Sequence, residues 1–273
     1  MYDIIYDMKK YIYIIGIILV IIASCALYIG KNRIDTVNNH MLTQSVLSTL
    51  SPTPTITIIA TKSVSTPTVS EVTPTTMQNT CNDLLVLVDK THALPESYVP
   101  PDLVYLNKYN IPVTSNSLEA RELIVGNLQK LFTAADAAHI NLTVVSPYRS
   151  YQSQSEVYNS YVSQYGVASA NQFSAIPGHS QHQLGTAIDF STSSLGGQLE
   201  QSFAGTKAGT WLLANAYLYG FYLSYPEGSE NVTGYEYEPW HFRYIGVSSA
   251  AALKSSGLIM QTYLEKYGVM PNC

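Results

Sequence analysis

The stretch Ser180–Asp189, which reads SQHQLGTAID, and the distant stretch Glu238–His241, which reads EPWH, decide how this chain is interpreted. Together they supply two imidazoles and one carboxylate, on His182, Asp189 and His241. Three such ligands leave the fourth position of tetrahedral zinc open for water, as in catalytic rather than structural zinc sites. Glu238, three residues before the last histidine, is a candidate proton acceptor. The pattern predicts one Zn²⁺ ion in a hydrolytic site.

The spacing of the first two ligands suits a loop that leads into a strand. His182 and Asp189 are seven positions apart, so a loop from the histidine to a strand carrying the aspartate could return both side chains to one ion. Gly185 and Ala187 between them are small, which would permit close approach of the backbone near a metal. The alternative is three unrelated polar residues near turns, but their joint occurrence with Glu238 favours a metal site.

Hydrophobic spacing and turn residues predict both helices and strands from residue 81 onward. A capping box formed by Asn116 and Glu119 would begin a helix that runs to about Ala138. The other predicted helices span residues 152–165, 210–219 and 247–266, and the predicted strands span residues 141–147, 185–190, 221–225 and 241–245. Because regular βαβ alternation is absent, the predicted fold class is α+β, with a largely antiparallel sheet flanked by helices.

The charge distribution argues against nucleic acid as a partner. Residues 81–273 carry a formal charge of −6, whereas residues 1–80 carry +1, and no basic stripe is present. An acidic domain also gains little electrostatic attraction from an anionic membrane surface. Any association with a membrane should therefore come from a dedicated anchor.

Residues 11–29 are the candidate anchor, because they contain no charge and are long enough to span a bilayer as a helix. Basic residues flank the segment on both sides, so the positive-inside rule does not decide its orientation. The stretch Ile22–Cys25 also resembles a bacterial lipobox, in which case the mature protein would begin at Cys25. Apolar residues continue to Ile29, which favours an uncleaved, single-pass anchor.

The segment between the anchor and the folded part is of low complexity. In residues 51–80, 18 of 30 positions are Ser, Thr or Pro, so this segment cannot bury enough apolar surface to fold. We therefore expect an N-terminal cytoplasmic segment and membrane anchor in residues 1–30, a stalk in residues 31–80 and a catalytic domain in residues 81–273. Residues 51–80 of the stalk should be disordered, whereas residues 31–50 could include a short helix that continues from the anchor.

Cys81 and Cys273 lie at the two ends of the predicted domain. Since domain termini are often close together, these cysteines could form a disulfide that joins them. The alternative is two unpaired thiols.

Several motifs, in order, resemble those of a known family. They are His92–Pro95, Ser146–Ser150, Pro177–His182 and Gly234–His241. Over about residues 83–266 the chain resembles the zinc D-alanyl-D-alanine carboxypeptidases, which include the vancomycin-resistance carboxypeptidases of the VanY type, related D,D-dipeptidases and L,D-carboxypeptidases. Pro147 is a departure, because many members have glycine there. The resemblance implies a hedgehog/DD-peptidase-like fold.

The resemblance also assigns roles to individual residues. It implies that His182, Asp189 and His241 hold the zinc ion and that Glu238 is the general base. Arg149 would polarise the scissile carbonyl or bind a substrate carboxylate, as suits a permanently charged, fork-shaped donor. Gln154 and Ser180 would bind the substrate. His179 would lie outside the ligand set, and Tyr237 and Trp240 could form a wall of the cleft.

The expected function is removal of a terminal D-Ala from peptidoglycan stem peptides by a membrane-tethered, extracytoplasmic enzyme. Three alternatives share this chemistry: a D,D-carboxypeptidase, an L,D-carboxypeptidase and an endopeptidase that cuts cross-links. A fourth alternative is a zinc-containing binding module without catalysis, since the signalling domain of hedgehog proteins resembles this fold. Glu238 and Arg149 argue against the binding module.

Overall fold

The computed structural model describes residues 79–273, which form an α+β fold. Its strands are β1 (Leu103–Tyr105), β2 (Glu119–Arg121), β3 (Thr143–Ser146), β4 (Ala187–Ser191), β5 (Phe221–Leu223) and β6 (His241–Tyr244). Its helices are α1 (Glu122–Ala137), α2 (Tyr151–Tyr165), α3 (Val167–Phe173), α4 (Lys207–Asn215), α5 (Glu230–Thr233), α6 (Val247–Ser256) and α7 (Met260–Tyr267). Short 3₁₀ segments, including Gln181–Leu184, connect several of them.

The central sheet brings the two motifs together. Its strand order is β3-β4-β6-β5, and every neighbouring pair is antiparallel, as predicted. In the β4–β6 register, Asp189 lies opposite His241, and on the other side of β4 it lies opposite Ser146. Strands β1 and β2 form a separate antiparallel pair. Two stretches that are about fifty residues apart in sequence thus become adjacent through ordinary strand pairing.

Strand alternation separates the core face of the sheet from the site face. Ile188, Phe190 and Phe242 belong to one hydrophobic cluster, together with Ile124 and Leu128 of α1. Since successive side chains in a strand point to opposite faces, Asp189 and His241 point away from this cluster. Both faces are buried, because further segments cover the site face as well.

The predicted capping box is wrong. Glu119 belongs to β2, where it pairs with Tyr105, and α1 begins only at Glu122. Arg121 occupies the N-cap position and makes no side-chain capping bond. The pairing of β1 with β2 therefore overrides a local signal for helix initiation.

The predicted final helix is two helices. Gly257 adopts a φ of 68°, in the left-handed region, and ends α6 before α7 begins at Met260.

The helix predicted over residues 152–165 is confirmed, with Ser150 as its N-cap. Helix α3, which directly follows Gly166, was missed, as was the pair β1–β2. The helix predicted over residues 210–219 starts earlier, at Lys207, and becomes 3₁₀ after Asn215.

Gly185 is required by the local backbone conformation. Its φ is +67°, and a Cβ atom at this position would lie 2.9 Å from Cγ of Arg121. The glycine thus permits a left-handed turn against a buried arginine.

The two ends of the described chain lie together. Cys81 and Cys273 form a disulfide in the structure, with their Cα atoms 5.8 Å apart, and Thr80 N donates a hydrogen bond to Asn272 O. Arg243 of β6, which is fully buried, donates to the carbonyls of Leu84 and Val86. The chain just after Cys81 is therefore fastened to the strand that begins with His241.

The predicted anchor, lipobox and nearly all of the predicted stalk lie outside residues 79–273. Within that described range, no helix combines the length and the apolar character needed to cross a membrane.

Candidate metal centre

The structure brings the three predicted ligands together. His182 comes from the 3₁₀ segment Gln181–Leu184, Asp189 from β4 and His241 from the first position of β6. All three are buried, and one ligand atom from each lies within 4.8 Å of the others. Such a group of two imidazoles and one carboxylate is typical of catalytic zinc sites.

The orientation of the rings fits a metal ion better than it fits ordinary ion pairs. His182 Nε2 lies 3.2 Å from Asp189 Oδ2, and His241 Nδ1 lies 3.0 Å from Asp189 Oδ1. Nevertheless, the buried Oδ1 accepts no hydrogen bond within the described residues. Nitrogen and oxygen lone pairs that face a common point without bonding to each other are arranged as ligands.

The far nitrogen of His182 fixes its tautomer. Nδ1 lies 2.7 Å from the carbonyl oxygen of Pro147, which can only accept, so Nδ1 carries the proton. Nε2 is then unprotonated and free to bind a metal. Since a main-chain carbonyl supplies this contact, proline in place of glycine at position 147 removes nothing that the site uses.

The protonation states also suit metal binding. Burial alone would raise the pKa of Asp189, but the neighbouring His182 and His241 outweigh burial and lower it. Burial lowers the pKa of His182. An ionised aspartate and a neutral histidine are the forms that coordinate metals.

Glu238 is the acidic residue beside the ligands. Its side chain is buried and lines the same cleft, and Oε2 lies 3.7 Å from His241 Nδ1. Burial, followed by the negative charge of Asp189, raises the pKa of Glu238 well above its usual value. Glu236, two residues earlier, is exposed and does not line the cleft. The predicted choice of Glu238 over Glu236 thus agrees with the geometry.

Arg149 lines the cleft without a carboxylate partner in the described range 79–273. Its Nη1 donates to Gln154 Oε1 at 2.8 Å, and its Nη2 donates to Ser146 Oγ at 2.6 Å. Its main-chain N–H donates to the carbonyl of His182, which fastens the loop after β3 to the metal centre. Because its side-chain hydrogen-bond partners are neutral, Arg149 forms no salt bridge within the described residues.

Gln154 and Ser180 also line the cleft, but both are almost fully buried. Gln154 Nε2 donates to the carbonyl of Ala175 at 2.8 Å, which fixes the amide so that Oε1 faces Arg149. Ser180 caps the 3₁₀ segment, where its hydroxyl accepts from His182 N at 3.3 Å. The contacts of both residues thus orient Arg149 and His182, and a direct contact with substrate stays a prediction.

The remaining predicted residues have separate outcomes. His179 lies outside the cleft lining, and its Nδ1 contacts the carbonyl oxygen of Asp89 at 2.7 Å, which agrees with its exclusion from the ligands. Trp240 lines the cleft, whereas Tyr237 does not. The cleft has a volume of about 500 Å³ and continues from the ligands to Tyr161, Tyr165 and Phe173.

The sequence analysis did not predict an aromatic stack beside the ligands, in which Tyr225 and Tyr235 also line the cleft. The Tyr225 ring lies 4.9 Å from the His241 ring and 4.8 Å from the Tyr235 ring, and Lys90 Nζ lies 3.6 Å from the centre of the Tyr235 ring. The Tyr235 hydroxyl is buried and has no hydrogen-bond partner among residues 79–273. The sequence carried only a weak signal for this stack, because the chain contains 22 tyrosines.

Glu238 and Arg149, which has no salt-bridge partner among the described residues, share one cleft with the three ligands. Such a site is that of a metal-dependent hydrolase and not a structural metal site. Comparison with known proteins gives the family. The model of the VanY D-alanyl-D-alanine carboxypeptidase family matches residues 117–247, which contain every one of these groups. This chain belongs to that family.

Individual relatives agree with this assignment. The chain is 39% identical over 192 residues to the putative carboxypeptidase YodJ of Bacillus subtilis (strain 168), with 70% of each protein covered. It is similar to the solved LdcB LD-carboxypeptidase, with a TM-score of 0.64 and 37% identity over 68% of this chain and 87% of that one. It is also similar to a mutant of the vancomycin-resistance D,D-pentapeptidase VanY in complex with Zn(II), with a TM-score of 0.56 and 32% identity over 66% and 98%.

Proposed function

We propose that this protein is a zinc carboxypeptidase that removes a terminal D-Ala from peptidoglycan stem peptides. The observation that carries the proposal is that Glu238 and Arg149 lie in the same cleft as His182, Asp189 and His241. A zinc ion held by these three ligands would lower the pKa of a water molecule and polarise the scissile carbonyl. The zinc complex of the related VanY structure supports this choice of metal.

Glu238 is suited to carry the proton. In the proposed reaction it takes a proton from the attacking water, whose oxygen forms a bond to the carbonyl carbon. When the C–N bond breaks, Glu238 passes that proton to the departing amine nitrogen. The position of Glu238 supports this role, because its side chain lines the cleft and its Oε2 lies 3.7 Å from Nδ1 of the ligand His241.

Arg149 is suited to bind negative charge. Its contacts to Gln154 and Ser146 hold the guanidinium in place without neutralising it. It can therefore bind the substrate carboxylate or stabilise the oxyanion that develops during hydrolysis. A site for a terminal carboxylate supports a carboxypeptidase over an endopeptidase, because a cross-link within the polymer has no such group at the scissile residue.

Both D,D- and L,D-activity are compatible with this cleft. The solved relatives carry both descriptions, an LD-carboxypeptidase for LdcB and a D,D-pentapeptidase for VanY. The residue that precedes the terminal D-Ala distinguishes the two substrates.

We also propose that the domain works outside the cytoplasm, at the cell membrane. This part of the proposal rests on the sequence of residues 11–29 as an uncleaved anchor and of residues 31–80 as a stalk. Lipid attachment at Cys25 is the alternative. Treating intact cells with a protease would test the proposal, since the protease would cut the domain only if the domain lies outside the cell.

The test of activity uses the full-length protein with Zn²⁺ and muropeptides that end in D-Ala-D-Ala or in L-Lys-D-Ala, and identifies the products by mass. Release of a single D-Ala from either peptide is expected. The variant Glu238→Gln should lose hydrolysis while it keeps zinc, because an amide cannot accept the proton. Full activity in this variant would contradict the role of Glu238. Bound zinc without any product would instead favour the binding module.

A further inference from the structure

Gln181, between Ser180 and the ligand His182, connects the two halves of the metal centre. Its side chain is buried, and its Oε1 lies 3.2 Å from Nε2 of His241, which is sixty residues away in sequence. Ser224 Oγ donates to the same oxygen at 2.8 Å. The 3₁₀ segment that carries one histidine ligand is thereby joined to the other histidine ligand.

The contact decides which nitrogen of His241 can bind a metal. Nδ1 of His241 faces Asp189 Oδ1 at 3.0 Å, and Nε2 faces Gln181. An amide oxygen can only accept, so a hydrogen bond to Gln181 requires the proton on Nε2. Nδ1 then presents its lone pair to the position shared with Asp189. A proton on Nδ1 would occupy the place of the metal.

The two histidines are therefore fixed by different kinds of acceptor. The Pro147 carbonyl that orients His182 belongs to the main chain, and no substitution removes it. Only a side chain performs this task for His241. Ser224 strengthens the arrangement, because its hydroxyl orients the amide and its main-chain N–H donates to the His241 carbonyl at 3.1 Å.

We propose that Gln181 is a positioning residue that holds His241 in the metal-binding tautomer and thereby sets the affinity for zinc. The inference rests on the proposed function, because it takes zinc as the metal. Partners that orient a ligating imidazole commonly contribute about 10- to 100-fold in metal affinity. A loss of that size is expected when the acceptor is removed.

The experiment measures the zinc dissociation constant of the full-length apoprotein by competition with a chromogenic chelator. Gln181→Leu removes the acceptor, and Gln181→Asn moves it out of reach by one methylene. Both should bind zinc about 10- to 100-fold more weakly than the wild type. Gln181→Glu restores an acceptor of the same length, so it should bind zinc at least as tightly as the wild type. The visible spectrum of the cobalt-substituted forms should change only in the first two variants.

Gln183→Leu is the matched control. Gln183 is buried in the same 3₁₀ segment, but its amide donates to the carbonyls of Pro95 and Tyr98 and contacts no ligand. This variant should lose stability and keep its zinc affinity. If Gln181→Leu does not fold, the comparison of Gln181→Asn with Gln181→Glu tests the inference.

Two results would overturn the inference. One is wild-type zinc affinity in the folded variants that lack the acceptor, and the other is an equal loss in Gln181→Glu. A wild-type protein that binds no zinc would instead contradict the proposed function, so the two failures are distinguishable.

Discussion

Arg149 is oriented by a neutral partner, since its Nη1 donates a hydrogen bond of 2.8 Å to Oε1 of Gln154. Gln154 is itself fixed by donation from Nε2 to the carbonyl of Ala175. An acidic residue at position 154 would hold the guanidinium equally well but would also pair with its charge. The choice of an amide thus keeps the positive charge of Arg149 available to a bound anion.

The variant Gln154→Glu tests this relationship. It should reduce kcat/KM for peptides with a terminal carboxylate by about 10-fold or more, because the new carboxylate competes with the substrate for Arg149. Zinc content should not change. Steady-state kinetics with metal analysis would measure both.

Gln152→Glu is a suitable control for that experiment, because Gln152 is exposed on the same helix and does not line the cleft. It adds the same charge at a distance and should retain wild-type kinetics. Equal losses in the two variants would point to a general effect of negative charge and not to competition at Arg149.

The disulfide between Cys81 and Cys273 should contribute substantially to stability. Its partners are 192 residues apart in sequence, so the bond restricts the unfolded chain strongly. We expect Cys273→Ser to lower the free energy of unfolding by about 2–5 kcal/mol. A reductant should lower the Tm of the wild type and leave the Tm of the variant unchanged.

Thiol counting provides an independent check of the disulfide. The unreduced, denatured wild type should contain one free thiol, from Cys25, if that cysteine is unmodified. Three free thiols before reduction would show that Cys81 and Cys273 are not bonded.

The hydroxyl of Tyr235 should lower the free energy of unfolding. It is buried, and no residue of the described range accepts its proton. Tyr235→Phe removes only this group and keeps the aromatic stack, so the free energy of unfolding should stay equal or rise by about 1 kcal/mol. Chemical denaturation of the zinc-free protein would measure the change.

Tyr98→Phe is the matched comparison, because the Tyr98 hydroxyl donates to the carbonyl of Cys81 at 2.9 Å and is also buried. Here the free energy of unfolding should fall by about 1 kcal/mol. A similar loss in Tyr235→Phe would mean that its hydroxyl has an acceptor after all.

Asp89 should make stability depend on pH in the acidic range. Burial would raise its pKa, but hydrogen bonds from Thr91, Gln261 and His92 lower it from 3.8 to about 2. Since the folded state holds the proton less tightly than the unfolded state, the stabilisation is complete above about pH 5 and is lost as the pH falls toward 2.

The variant Asp89→Asn lacks this titration. The difference in free energy of unfolding between wild type and variant should shrink by about 2 kcal/mol from pH 7 to pH 2. Denaturation curves at several pH values would show it. An Asp89→Asn difference that does not vary with pH would contradict the prediction.

The sequence predicted the fold class and the ligands because both depend on short-range patterns. Asp189 lies on a strand of consecutive buried residues, and Glu238–His241 is a compact motif whose chemistry is recognisable without coordinates. The boundaries of the helices and strands were less predictable. Glu119 carried the signal of a capping box and yet entered a strand, because its partner Tyr105 is distant in sequence.

The supporting contacts of the site could not be predicted for the same reason. Gln181 stands next to a ligand in sequence, but its partner is the other ligand, on a different strand. Gln154 was expected to contact substrate, and the structure shows it bonded to Arg149 and Ala175. Such pairings arise only after the chain has folded, so no local sequence pattern predicts them.

The bond between Cys81 and Cys273 also determines how the domain responds to mechanical load. A pulling force applied between residues 79 and 273 passes along residues 79–81 and through the disulfide, and the whole sheet lies inside the ring that the disulfide closes. Strands β4 and β6, which carry Asp189 and His241, therefore bear none of that tension. The metal centre should keep its geometry under a force that would otherwise unzip the β4–β6 pair, until the disulfide is reduced.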